Sequence, residues 1–232
     1  MTTTALVSSD ELTRESLEIS GEAFHHLFRA ARLRRGERLR LTDGRGGSRW
    51  SVVGRVERHS AFLTLENEAP SNDPGLAVEL VIAPPKASRA SWMVEKGTEL
   101  GVRAFHFFKC ERTSREFGAA NLDRLRRVAR SALEQSNGSW LPEVTGMHSL
   151  EQVIGDLGVS PHLFVLDPES PPSGGKESEG GVCVVIGPEG GLTPAELKML
   201  IEGGFESWGL GPRVLRVETA AIAAAAALLV GA

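Results

Sequence analysis

Apolar and polar positions along this chain keep two different rhythms, with a break near residue 70. Before the break, Arg38–Thr42 alternates Leu39 and Leu41 with Arg38, Arg40 and Thr42, the period of two that marks a strand with one buried face. Asp43-Gly44 and Gly46-Gly47 mark a turn, residues 50–56 predict a second strand, and residues 61–65 alternate again as a third. Ahead of them, residues 21–33 carry Phe24, Leu27, Phe28 and Ala31 at the spacing of one helix face. Residues 67–75 (NEAPSNDPG) are polar and turn-forming, a composition that separates domains.

After the break, strands alternate with helices. Residues 78–82, 104–108, 163–166 and 182–186 are compact apolar runs of buried-strand type. Residues 88–100 predict a helix with Trp92, Met93 and Leu100 apolar and Gly101 just past its end. Asn121 is the expected cap of a helix reaching Ser136, with Leu122, Leu125, Val128, Ala129, Ala132 and Leu133 on one face. Residues 149–157 open with Ser149-x-x-Gln152, the spacing of a capping box, and residues 167–181 read as a mobile loop rich in Pro, Ser, Gly and Glu. Such alternation implies an α/β domain with a mostly parallel sheet and helices on both faces. The boundaries expected are residues 1–70 for a small first domain and 75–232 for the second.

Charge changes this picture more than composition does. The 232 residues are 41% hydrophobic and 24% charged, which suits a globular protein, and the formal net charge is only −4. That total hides its distribution: residues 21–60 are net +6, residues 103–130 net +5, and residues 131–232 net −9. Two basic blocks in an acidic protein point to a polyanionic partner. In the first block Arg29, Arg32, Arg34, Arg35 and Arg38, continued by Arg40, Arg45, Arg49, Arg55 and Arg58, are candidates for phosphate contact; in the second, Arg112 and Arg115 are. Cys110 and Cys183 form no CxxC pair, no secretory leader is visible, and the longest uncharged apolar run is too short for a bilayer, so a cytoplasmic protein without disulfide, metal or membrane contact is expected.

Candidate chemistry concentrates in two glycine-bearing loops. In VCVVIGPEGGLTPAEL (182–197) a buried strand runs into a Gly-rich turn and then a helix, with Thr193 as N-cap, Pro194 at the first helical position and Glu196 completing a Thr-x-x-Glu capping box. In open α/β sheets ligands sit at the carboxyl ends of strands, where this loop must lie. It lacks the Gly-Lys-Ser/Thr of a P-loop, and Pro188-Glu189 breaks the dinucleotide GxGxxG spacing. In WGLGPRVLRVETA (208–220) a short strand ends in Gly209–Pro212, and Arg213 and Arg216 precede an Ala-rich helix suited to close packing in a core or an interface.

GPEGGLTPAE (187–196) followed by LGPRVLRVETA (210–220) resembles the RsmE-type small-subunit ribosomal RNA uridine-N3 methyltransferases of the SPOUT class. The likeness covers most of the chain: SGEAFHHLFRAARLRRGERLRLTDGRGG (20–47) is similar to the family's N-terminal domain, and MVEKGTELGV (93–102), ERTS (111–114) and EQSNGSWLPEV (134–144) to its middle signatures. The resemblance implies transfer of a methyl group from S-adenosylmethionine to N3 of a uridine in 16S ribosomal RNA of the small ribosomal subunit. It also implies a PUA-like β-barrel followed by an α/β SPOUT domain with a trefoil knot, paired as a homodimer. Carried over residue by residue, Leu166, Ile186, Gly187, Pro188, Glu189, Gly190, Leu210, Gly211, Pro212, Leu215, Arg216, Thr219 and Ala220 are expected around the cofactor.

The reaction brings its own activated methyl group, so the protein has to orient the uridine and favour its deprotonated N3. Arg216 is the candidate for stabilising the negative charge on the base, and Glu189 or Glu218 could accept a proton, hold the cofactor or form a structural ion pair with Arg213 or Arg216. The chain departs from the family at residues 1–10, which lack a basic and aromatic start, at Gly138, Ser139 and Trp140, which replace frequent arginines, and mildly at Val217. Trp140 could offer a stacking surface for a base instead. A non-catalytic RNA-binding or ribosome-assembly protein on the same fold, and a related methyltransferase with another RNA target, remain the alternatives.

Overall fold

Short β-branched and leucine-rich runs, bounded by turn residues, build two separate sheets. A computed structural model describes residues 3–30, 32–157, 160–172 and 180–230. It divides into two compact units, Met1–Asp73 with Arg130–Leu141, and Pro74–Ala129 with Pro142–Ala232.

The first unit holds β1 (Thr4–Leu6), α1 (Ser9–Leu12), β2 (Ser16–Ser20), α2 (Gly21–Phe24), β3 (Arg38–Thr42), β4 (Ser48–Val56) and β5 (Ser60–Glu68). Its sheet runs β1-β3-β4-β5-β2, parallel at β1–β3 and antiparallel elsewhere. The helix expected over 21–33 is shorter: α2 passes into a π-helical turn at His25–Ala30, and Leu33 lies beyond it. Phe24 and Leu27 from this segment fill the core with Leu39, Leu41, Val53 and Leu63.

Arg40 corrects the reading of β3 as a strand whose arginines all face RNA. It is only 2% exposed, and its guanidinium donates to the carbonyl of Asn137, to the carbonyl of Pro70 at 3.0 Å, and to the hydroxyls of Ser48 and Ser139. A buried cation persists when most of its donors are satisfied; here both terminal nitrogens are bonded, to main-chain carbonyls and serine hydroxyls, while Nε has no hydrogen-bond partner. Arg49 is likewise turned inward, onto the carbonyls of Glu66 and Leu12 at 2.7–2.9 Å.

The second unit adds β6 (Ala77–Ile82), α3 (Ala87–Leu100), β7 (Ala104–Phe108), α4 (Ala119–Ser136, its last turns counted with the first unit), β8 (Glu143–His148), α5 (Leu150–Gln152), β9 (His162–Leu166), β10 (Gly181–Ile186), α6 (Pro194–Glu202), β11 (Glu206–Trp208) and α7 (Val217–Leu229). The sheet order is β11-β9-β10-β6-β7-β8, parallel throughout. Every residue of β7 and Val182–Ile186 of β10 are buried, so both faces of these strands are covered. Val81, Cys183 and Val185 meet Leu150, Val153 and Leu200 from the α5 and α6 segments, while α7 packs on β6, β10 and α3. Burial, reinforced by Glu79, pushes the Cys183 thiol up to about 12, so it is inert packing.

Two helix ends obey local rules and one does not. Gly101 closes α3 in the left-handed region at φ 93°, the usual role of glycine there. Ser149 and Gln152 form the expected capping box: the Ser149 N–H donates to Gln152 Oε1 at 2.8 Å and the Ser149 hydroxyl accepts the Gln152 N–H at 3.3 Å. Asn121, in contrast, is not the cap of α4: the helix starts at Ala119, and Asn121 donates its N–H to the carbonyl of Gly118 inside the first turn. At the β6–β7–β8 edge, the Thr145 hydroxyl bonds His106 Nδ1 at 2.7 Å and His148 Nε2 at 2.9 Å, and His106 Nε2 lies 3.6 Å from Glu79. Of the loop expected over 167–181, residues 173–179 lie outside those described.

Candidate active site

Three strand ends converge on one cavity. β10 releases the chain at Gly187, and Thr193 starts α6: its hydroxyl accepts the Glu196 N–H at 3.3 Å, and Glu196 Oε2 accepts the Thr193 N–H at 2.8 Å. The segment after β9 is tied to β11, because the Asp167 N–H donates to the carbonyl of Trp208 at 3.1 Å and Pro172 bridges to Gly209. Gly209 is required there: a Cβ would overlap the Ser170 carbonyl oxygen and lie 2.9 Å from the Pro171 oxygen. The segments after β9, β10 and β11 enclose about 490 Å³, within the range of roughly 300–1,000 Å³ usual for small-molecule sites.

Most, not all, of the residues expected around a cofactor meet here. Leu166, Ile186, Gly187, Pro188, Glu189, Gly190, Leu210, Gly211, Leu215 and Ala220 all line the cavity. Pro212, Arg216 and Thr219 are exposed and lie outside the lining. Arg213 is the α7-side arginine that reaches the wall, whereas Arg216 is the N-cap of α7 without a side-chain capping bond. Asp167 and Glu169 also line the cavity, a contribution that no motif marked.

The two candidate carboxylates differ. Glu189 lines the cavity, is partly exposed, and pairs with Arg115 at 3.5 Å. Glu218 is 7% exposed, pairs through Oε1 with Arg89 Nε at 3.3 Å, and leaves Oε2 without a hydrogen bond. Its partner is therefore an α3 residue rather than Arg213 or Arg216.

Arg112 joins the lining from the loop after β7 and donates from Nη1 to the carbonyl of Gly190 at 2.9 Å. That loop is turned by Thr113, whose hydroxyl accepts the Cys110 N–H at 2.9 Å and whose N–H returns to the Cys110 carbonyl at 3.0 Å. Glu196 Oε1 accepts the Glu111 N–H at 2.7 Å. Burial pushes the Glu196 carboxyl up, but the Thr193 and Glu111 amides, the Thr193 hydroxyl and nearby Arg112 outweigh it, and the net direction is down.

The arginines of the first unit separate into used and available ones. Arg38 pairs with Glu66 at 2.6 Å and stacks on Trp50, and Arg29 donates to the Arg58 carbonyl at 3.2 Å. Arg32, Arg34 and Arg35 are exposed, with no side-chain ion pair among the described residues. Trp140, 38% exposed, closes on the turn at Gly46, where a Cβ would stand 2.7 Å from its ring.

The cavity combines apolar Leu166, Ile186, Leu210 and Leu215 with the carboxylates of Asp167, Glu169 and Glu189 and with loop main chain, the mixed lining of a small-molecule site. Comparison with known proteins agrees in extent and kind. A family described as an RNA methyltransferase domain matches residues 72–229, and an RNA methyltransferase PUA domain matches residues 19–66. The Ribosomal RNA small subunit methyltransferase E of Bacillus subtilis is 28% identical, covering 94% of this chain and 93% of its own length. That of Synechocystis is 32% identical over 93% of this chain and 73% of its own length. The crystal structure of the Neisseria gonorrhoeae enzyme of that name, bound to S-adenosyl methionine, superposes with a TM-score of 0.88 at 25% identity, over 98% of this chain and 96% of that one.

Proposed function

The chain belongs to the family of the ribosomal RNA small subunit methyltransferase E proteins, and from that premise we propose that it transfers a methyl group from S-adenosylmethionine to N3 of a uridine in 16S ribosomal RNA. The observation that carries this reading is the cavity at the ends of β9, β10 and β11, walled by the GPEGG and GPRVL loops and rimmed by Arg112.

S-adenosylmethionine supplies a methyl group already activated on a sulfonium. The chain's residues have to bind, orient and manage one proton. Leu166, Ile186, Leu210 and Leu215 exclude water from the cavity, and the loop main chain holds the ligand's polar edges. Uracil N3 lies between two carbonyl oxygens, so loss of its proton spreads negative charge over both. Arg216, exposed at the start of α7 beside the GPRVL loop, is the donor for that charge, with Arg213 nearer the wall. Glu189 is the better proton acceptor of the two carboxylates because it reaches the cavity, whereas Glu218 is engaged with Arg89. Arg32, Arg34, Arg35 and Arg115 are the phosphate contacts in this scheme.

The trefoil knot and homodimer belong to the same reading. Close packing of Gly209 against Ser170 and Pro171 supports the first, and exposed apolar Trp92, Val214 and Leu215 support the second. The proposed place of work is the cytoplasm. Among the described residues no helix is long and apolar enough to cross a membrane.

Two measurements test the proposal. Calorimetry is expected to show S-adenosylmethionine binding in the micromolar range, and its absence rejects the enzyme. Mapping N3-methyluridine in ribosomal RNA from cells with and without the protein is expected to reveal one site lost on deletion. An unchanged map rejects the target.

A further inference from the structure

Glu196 carries more hydrogen bonds than a helix cap requires. Its Oε2 accepts the Thr193 N–H at 2.8 Å and the Thr193 hydroxyl at 3.0 Å, which completes the capping box of α6. Its Oε1 accepts the Glu111 N–H at 2.7 Å, from the loop that carries Arg112 and Arg115. Arg112 then donates to the Gly190 carbonyl at 2.9 Å, and Arg115 pairs with Glu189 at 3.5 Å. Three contacts thus run from the arginine loop, two to the GPEGG loop and one to the first turn of the α6 helix that follows it. Only the contact of Glu196, a side chain 9% exposed, is sheltered from solvent, and it is charge-assisted.

We propose that Glu196 is a positioning residue for methyl transfer: acting through Arg112, it fixes the arginine loop against the GPEGG loop, so that the cavity wall and the RNA-facing rim hold one geometry. This rests on the reading of the cavity as the cofactor site. The role is chemically separable from capping. A capping box accepts Gln as readily as Glu, since one acceptor oxygen serves it. Holding Thr193 and Glu111 together needs two acceptors, and a carboxamide has one; its NH2 would face an N–H donor. Glu196→Gln therefore keeps the cap and cuts the link.

The test measures S-adenosylmethionine affinity by calorimetry on the full-length wild type, Glu196→Gln, Arg112→Ala and the double variant, with thermal unfolding alongside. Each single variant is expected to bind about tenfold more weakly, the loss of one charge-assisted hydrogen bond. The double variant is expected to be no weaker than about the weaker single, because both act on one connection. Ser149→Ala, which removes a capping box outside the cavity wall, is expected to lower stability and leave the affinity unchanged. Wild-type affinity in Glu196→Gln, or losses that multiply in the double variant, overturns the proposal. Should Glu196→Gln not fold, Arg112→Ala decides alone: unchanged affinity overturns the proposal. A wild type that binds no S-adenosylmethionine rejects the functional reading itself, a result distinct from all of these.

Discussion

Replacing Gly209 by alanine tests the architecture of the cavity at its tightest point. The added Cβ would overlap the carbonyl oxygen of Ser170 and approach the Ser170 carbonyl carbon to 2.8 Å and the Pro171 oxygen to 2.9 Å. All three atoms are main chain, so no rotamer change relieves the clash. One of the two segments has to move by about 1 Å, a cost at the upper end of overpacking, about 3 kcal/mol. For a chain of this size that corresponds to a fall of roughly 6–12 °C in the unfolding midpoint. The displaced segments carry Asp167, Glu169, Leu210 and Gly211, which line the cavity on both sides of the contact. S-adenosylmethionine affinity is therefore expected to fall by at least about tenfold. Gly118→Ala is the control, because a Cβ there meets nothing within 4 Å and its φ lies outside the left-handed region. Thermal unfolding with and without the ligand, together with calorimetry, reads both effects. A Gly209→Ala protein with wild-type midpoint and affinity would refute the close backbone contact and the cavity built on it.

Three further predictions concern charge. Arg216→Ala is expected to lower kcat by about 100-fold or more, the loss of one donor to a developing anion, while the unfolding midpoint barely moves because the side chain is exposed; unaltered turnover removes Arg216 from the reaction. Neutralising Arg32, Arg34 and Arg35 together is expected to reduce the slope of log affinity against log salt for single-stranded RNA by about 2, at about 0.7 per phosphate, and an unchanged slope makes them a solvated surface. His148 is held neutral, its pKa lowered by burial first and then by the neighbouring charge of His106. The unfolded chain takes up this proton near pH 6.5 and the folded chain only below that, so stability is full above about pH 6.5 and falls as pH drops toward the lower folded value. Urea unfolding of His148→Gln between pH 7.5 and 5 is expected to show a shallower fall than wild type; equal falls reject the assignment.

Elements stabilised by their own neighbours in sequence were readable, and those stabilised from a distance were not. β3 and β7 occupy the ranges that alternation and burial predict, and α3 and α6 stop and start at the glycine and the capping box that mark them. β1 has three residues and a parallel partner in β3, so no local period announces it. β8, EVTGMH, contains a glycine and little apolar run. Arg40 shows the limit most clearly. Period-two logic places it on the same face as Arg38, which is exposed, yet Asn137 and Ser139, about a hundred residues later, fold over it. Periodicity reports a face; it does not report what covers that face.

The same distinction separates the legible part of the site from the rest. GPEGG and GPRVL were recognisable because glycine, proline and capping residues constrain their own backbone, and those constraints are written in residue types. Glu196 satisfies its local motif completely, so nothing about Thr193-x-x-Glu196 asks for a further partner. That partner is the main-chain N–H of Glu111, a donor that every residue except proline carries and no pattern can single out. Glu218 has the same history in reverse: a helix-start carboxylate near two arginines suggested Arg213 or Arg216, and packing of α7 on α3 selects Arg89 instead. These three glutamates therefore divide by what the sheet brings to them. Glu189 reaches the cavity, Glu218 is held at a helix interface, and Glu196 joins two loops, which is why perturbing Glu196 discriminates between a cap and a connection when neither neighbour can.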